Sequence, residues 1–381
     1  MADFTFNILS KIILSSFAAF NIGTYARETG KRFVLIVDPF IKSGTLFPKI
    51  ADSLNACNIN YFVFDEIEYK SDSKTLESVL TLSRNAHIDA VLAVGGSKVL
   101  NLARAVSSLY NETDYLYNFI EGQTPKSVPL PLLCLPTTMR DSFIFSKVTP
   151  IVDSRNQRLK ILNCQDTLCK TAVFDPTLNR SLSSNQITAM SLESLCLACE
   201  TYLSQKSSFF SDMMSCKAIE LISLSLEDNK ENSTGSRDEL LEQGGCIASL
   251  AAGTSSIGAA TLLSLCINTR YEISSYLVCS ILFPYMIEDA AKFKKDKISK
   301  ITRIMGLYNQ NKSEEECIQD LMDYLRQKLA SNRLPTRLKE LNLSLSQLSA
   351  VAEEAAELDL ANKLPRSMSA EDLYDLIKKA Y

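Results

Sequence analysis

AVLAVGGSKVLNLARAV, residues 90–106, is the stretch whose reading decides the fold. Residues 90–94 are a short, uninterrupted apolar run, as expected for a strand buried on both faces of a parallel sheet. The run ends in Gly95-Gly96, and a helix is predicted over residues 98–107. Upstream, residues 32–38 (RFVLIVD) read as a similar buried strand. Residues 42–56 then read as one helix, with Leu46, Ile50 and Leu54 at helical spacing. Residues 61–64 and 76–85 repeat the strand–helix pair, and residues 130–135 give a further strand ending at Pro136. Alternation with short connections predicts an N-terminal, doubly wound, Rossmann-like α/β domain.

Beyond Asp175-Pro176 the pattern changes. Residues 186–203, 211–226, 240–250, 257–266 and 276–293 all carry helical apolar periodicity. Ser313 with Glu316, and Ser369 with Asp372, open two more helices with capping boxes. The second domain is therefore predicted to be all-α, with domains at 1–178 and 179–381. The polar stretch 227–237 (EDNKENSTGSR) reads as a solvated loop.

Composition narrows the class. Of 381 residues, 46% are hydrophobic and 22% charged, with a net charge of −4 and no basic tract. That is the balance of a globular protein and a poor one for binding nucleic acid. The eleven cysteines are scattered, as in a chain kept reduced. With no apolar run long enough to span a bilayer, a cytoplasmic protein without a membrane partner is expected. The single histidine, His87, precludes any His-rich metal centre. Its place just before a predicted strand makes it a surface loop residue.

Several motifs in fixed order carry a resemblance along nearly the whole chain. They are FNILSKIILSSFAAF (6–20), VDPFIKSG (37–44), AVGGSKVLNLARA (93–105), LPTT (135–138), FDPTL (174–178), PTRLKEL (335–341) and MSAEDLYDLIKKAY (368–381). Together they resemble the iron-containing, group III alcohol dehydrogenases, whose fold is that of dehydroquinate synthase and glycerol dehydrogenase. The resemblance implies NAD(P) held by a G-G-G-S-x-x-D turn, where backbone N–H groups and a helix N-terminus cradle the pyrophosphate. Here that segment is Gly95-Gly96-Ser97-Lys98-Val99-Leu100-Asn101. Ser97 replaces the third glycine, and Lys98 brings a positive charge: an altered anion site, or a solvent-facing lysine at a helix start. The second nucleotide segment follows Pro136-Thr137-Thr138, but bulky and charged residues 139–144 (MRDSFI) replace the family's small ones. Lys160 falls where the family often has a lysine near the nucleotide.

The metal positions differ most. The family pattern D-A-L-x-H-A-I-E becomes residues 193–200, with Glu193 retained as a carboxylate and Leu197 in place of the histidine. The three later histidines become Thr261, Leu265 and Ser275 at unchanged spacing. No metal is therefore expected at Glu193, Leu197, Thr261 and Ser275, because leucine offers no lone pair and hydroxyls are weak ligands. Cys196-x-x-Cys199, Cys266 and Cys279 offer thiols, but Cys196 and Cys266 are rotated about 100° off the ligand face.

The expectation is a catalytically degenerate relative: a non-catalytic scaffold, a subunit or a ligand-sensing protein. Its partners would be a second copy or an active paralogue, with a small anionic ligand. The alternative is a metal-independent NAD(P)-dependent oxidoreductase acting on a small alcohol or carbonyl compound, with Arg270, Lys160 or Lys98 polarising the substrate oxygen. In either case Leu197 and Leu265 should pack in the helical core, and Leu265 and Arg270 mark the ancestral catalytic region.

Overall fold

The structure, a computed structural model, describes residues 10–67, 71–165, 169–227 and 235–381. Residues 6–9 of the first motif and 228–234 of the expected loop lie outside them. The chain divides into two compact units, Met1–Arg180 and Ser181–Tyr381.

The first unit alternates strands and helices: β1 (Lys11–Leu14), α1 (Ile22–Arg27), β2 (Arg32–Val37), α2 (Pro39–Ser43), α3 (Leu46–Ala56), β3 (Asn60–Phe64), α4 (Ser73–Asn85), β4 (Ala90–Gly95), α5 (Ser97–Leu109), α6 (Leu116–Ile120), β5 (Leu132–Pro136), β6 (Val148–Asp153), β7 (Arg158–Asn163) and β8 (Cys169–Phe174). Six strands form one parallel sheet in the order β1-β8-β5-β4-β2-β3. Every residue of β4 is buried, which is why its sequence reads as unbroken apolar. The chain runs from β2 out to β3, then crosses back over β2 to β4. The sheet therefore changes direction between the carboxyl ends of β2 and β4, where doubly wound folds bind ligands.

Several features differ from the sequence expectation, among them β8, an interior strand of the sheet that the sequence reading did not name. The single helix at 42–56 is two, because Gly44 takes an extended conformation after Ser43 and breaks it. β1 is an additional edge strand beside β8. β6 and β7 form a separate antiparallel hairpin, with Val148 opposite Asn163 and Asp153 opposite Arg158.

The second unit is α7 (Ser184–Leu203), α8 (Phe209–Ser225), α9 (Arg237–Thr254), α10 (Ala259–Tyr271), α11 (Ser275–Ala291), α12 (Lys295–Ile304), α13 (Glu314–Ser331), α14 (Leu345–Glu357) and α15 (Ala370–Ala380). Capping boxes open α7, α8, α9, α13, α14 and α15, so the backbone donors of those first turns are met locally. α7 is buried from Ser191 to Leu203 and packs on α8, α9 and α11, making it the central helix of the unit. Among the described residues no single helix is long and apolar enough to cross a membrane.

Candidate functional site

The turn from β4 into α5 is built around Gly95. A side chain there would meet Val99 Cγ2 at 2.6 Å and Asp38 Cβ at 3.2 Å, so only glycine fits. Gly96 has more room: a Cβ would lie 3.5 Å from Thr138 Cγ2. Gly96 stands as N-cap of α5 and supplies no side-chain cap, so the first-turn N–H groups from Ser97 face outward at the carboxyl edge of the sheet. Lys98 is half-buried there. The Thr137 N–H donates to Gly95 O at 3.0 Å and ties the following β5 loop to the same turn. Sequence reasoning missed Asp38. Its N–H donates to Val94 O, which fixes it at the carboxyl end of β2 beside Gly95. Its carboxylate accepts from Phe40 N–H at 2.9 Å. An acid closing the strand next to a glycine turn was the available signal.

The bulky segment after Thr138 is turned inward. Phe143 and Ile144 are 3% and 0% exposed, and Arg140 and Asp141 are also buried. Arg140 Nη1 donates to Ser142 Oγ at 2.6 Å, and Asp141 accepts from Phe143 N–H at 2.9 Å. Thr138 Oγ1 donates to Arg140 O. Lys160 is elsewhere: its ammonium lies 3.2 Å from Glu121, on the β6–β7 hairpin. The same carboxylate meets Arg155, which also grips buried Asp153 and lies over the Tyr117 ring. Glu121 and Asp153 are both held below the usual carboxylate range, Glu121 chiefly by its hydrogen bond to Lys160 and Asp153 by that to Arg155.

In the helical unit, Glu193 is 7% exposed and accepts from Ser275 Oγ at 3.1 Å. Ser275 is the first residue of α11, so the carboxylate meets the positive end of that helix. Leu197, one turn along α7 from Glu193, is fully buried. Thr261 is 2% exposed; its N–H donates to Glu200 Oε1 at 3.0 Å, and its hydroxyl lies 3.9 Å from Cys279 Sγ. Cys196 and Cys199 are completely buried, and desolvation pushes both thiols well above their ordinary range. Arg270 Nε lies 2.5 Å from Glu354, a carboxylate 2% exposed. His87 is an exposed loop residue with φ 49°.

The model of the family described as iron-containing alcohol dehydrogenase matches residues 10–176. The C-terminal model of the same family matches residues 187–381. This chain belongs to the iron-containing alcohol dehydrogenase family. Lactaldehyde reductase of Escherichia coli strain K12 is 20% identical over 384 residues, covering 98% of this chain and 100% of the relative. 4-hydroxybutyrate dehydrogenase of Clostridium kluyveri is 26% identical over 302 residues, covering 76% and 78%. The solved alcohol dehydrogenase from Oenococcus oeni superposes with a TM-score of 0.88 at 20% identity, covering 98% of each chain.

Membership in this family corrects the functional expectation. Its relatives are named as reductases and dehydrogenases, and nothing speaks positively for a non-catalytic scaffold, subunit or sensor. Three of the expected site residues have surroundings the sequence did not show. Lys160 is engaged by Glu121 rather than poised at the glycine turn. Arg270 is committed to Glu354 and is not a loose cation for a substrate oxygen. Leu265 is only half-buried, whereas Leu197 is core.

The family name implies iron, and the side chains at the positions the resemblance assigns to it do not fit a cation. Leu197 presents hydrocarbon, and the Thr261 hydroxyl lies against a thiol. Among the described residues no three His, Cys, Asp or Glu side chains converge at metal-holding distance. The glycine turn does fit a dinucleotide, since it has a cradle that a Cβ would fill and an uncapped helix N-terminus.

Proposed function

We propose that this chain is a cytoplasmic NAD-dependent oxidoreductase that interconverts a small alcohol and its carbonyl compound, with the metal-ligand histidines of its family absent. The observation that carries this reading is the glycine turn at the sheet's switch point, kept in a chain that follows a named reductase over 100% of its length. Gly95, Gly96, Ser97, Lys98, Thr137 and Thr138 would hold the pyrophosphate, by backbone N–H groups and the Lys98 charge. Asp38 would accept from a ribose hydroxyl and repel a 2′-phosphate, which favours NAD over NADP. The bound nicotinamide supplies a hydride acceptor or donor. Among the positions the resemblance assigns to the metal, Glu193 and Ser275 are a polar pair in hydrogen-bond contact. The small anionic ligand expected from the sequence is then the dinucleotide, and the assembly partner is a second copy of the chain or a paralogue.

The test is nicotinamide turnover by chelator-treated protein against a panel of small diols and hydroxy acids, and aldehydes in reverse. Turnover with NAD that is indifferent to chelator supports the proposal. Turnover that needs added Fe²⁺ or Zn²⁺ overturns its metal-free half. No turnover, together with no dinucleotide binding by calorimetry, overturns all of it.

A further inference from the structure

Residues 137–147 form neither helix nor strand, yet Met139 through Ile144 are buried. Buried irregular backbone must find hydrogen-bond partners or pay for their loss. Some are local: Ser146 N–H donates to Phe143 O at 2.8 Å, and Val148 N–H to Ser146 Oγ at 3.3 Å. Three carbonyls are met by one side chain. Arg104, 1% exposed, donates from Nη1 to Ile144 O at 2.8 Å and from Nη2 to Ser146 O at 2.5 Å and Val148 O at 3.1 Å. One turn earlier on the same helix, Asn101 Oδ1 accepts from Thr149 Oγ1 at 3.1 Å.

Both residues belong to α5, whose first turn is the glycine-turn anion site. The helix thus serves two sites at once: its N-terminus faces the carboxyl edge of the sheet, and its second and third turns grip the loop that leaves β5 beside Gly96. A guanidinium suits this task, because its planar fork reaches several acceptors that a lysine ammonium meets only singly. The dependence is mutual. Swinging the loop out would strip a buried cation of its acceptors, and removing the cation would leave three carbonyls bare.

We propose that Arg104, seconded by Asn101, is a positioning residue that fixes the 139–149 loop against the glycine turn and thereby sets dinucleotide affinity. This rests on the proposed nucleotide site, so the experiment has one arm that needs no nucleotide. Amide hydrogen exchange over residues 139–149 is compared in parent, Arg104→Met and Arg104→Lys, alongside NAD titration and steady-state kinetics. In Arg104→Met, exchange there should accelerate and the NAD KM should rise about tenfold, equivalent to about 1.4 kcal/mol. The kcat at saturating NAD should change much less, and Arg104→Lys should fall between. Parental exchange in a folded Arg104→Met, or a loosened loop with unchanged NAD affinity, overturns the proposal. If Arg104→Met does not fold, Thr149→Val removes the Asn101 contact alone. It should speed the same amides to a smaller extent, and no change there counts against the clamp. A parent that binds no dinucleotide sinks the functional reading while the exchange arm still decides the loop.

Discussion

Replacing Leu197 with histidine tests whether the metal position has become core. Leu197 is completely buried in α7, the central helix of its unit. Withdrawing its side chain from that environment costs roughly 1.5–3 kcal/mol of apolar burial. Installing an imidazole there adds about 1–3 kcal/mol for polar atoms without designed partners. Glu193 lies one turn away on the same face, and a hydrogen bond to it would return about 1 kcal/mol. The net expectation is a loss of roughly 1.5–5 kcal/mol, a large fraction of the ~5–15 kcal/mol that holds a typical domain together.

Leu265→His is the control. Leu265 is half-buried, so its replacement should cost under about 1 kcal/mol. The pH dependence separates a desolvated imidazole from a merely awkward one. Burial disfavours the charged form, so the folded variant titrates below the ordinary value of about 6.5. The unfolded chain then binds more protons, and the deficit of Leu197→His grows as pH falls through about 6.5, levelling below the folded pKa. With no tryptophan in the chain, urea unfolding followed by far-ultraviolet circular dichroism is the assay. A Leu197→His protein as stable as the parent would refute the reasoning, and so would a deficit that does not deepen in acid. Zn²⁺ that restores the stability of Leu197→His/Leu265→His would show that a cation still has a place there.

Gly258→Ala would put a Cβ 2.5 Å from Glu200 Cγ and 2.7 Å from Oε1, prising the carboxylate from the Thr261 N–H it accepts at the start of α10. Thermal unfolding should register a loss of about 1–3 kcal/mol. Arg155→Met should remove the main cause of Asp153's lowered pKa. The folded-state depression contributes stability above about pH 4 that is lost as pH falls through the folded value, so parent and variant should differ most near neutrality and converge in acid. Asp38→Ala should narrow the preference for NAD over NADP by roughly tenfold, from the loss of one charged hydrogen bond and one repulsion. Equal discrimination in parent and variant, measured by paired cofactor titrations, would remove Asp38 from the site.

β2, β4 and β5 were legible because both their faces are covered, which leaves a continuous apolar run with no helical alternative of that length, whereas β8 was missed because Lys170 and Thr171 interrupt its run. β1 was not, since four residues at a sheet edge, half of them exposed, carry no such run. Two residues tied to the glycine turn and its neighbouring loop were hidden for a different reason. Asp38 meets Gly95 only because the sheet reverses direction between β2 and β4, and Arg104 meets carbonyls 40 to 44 residues further along the chain. The one local hint of Arg104 was an arginine set among Ala103, Ala105 and Val106 in a helix with no exposed face at that turn. Lys160 and Arg270 differ in the opposite sense: the sequence places them by a family pattern, and in the structure they pair with Glu121 and Glu354. A matched position fixes where a side chain starts, and the nearest opposite charge fixes where it ends. The same distinction separates Leu197 from Leu265, which share a substitution and a family position type but not an environment. Spacing alone therefore says which positions the resemblance assigns to ligands, and only burial tells which of the side chains there holds the helices together.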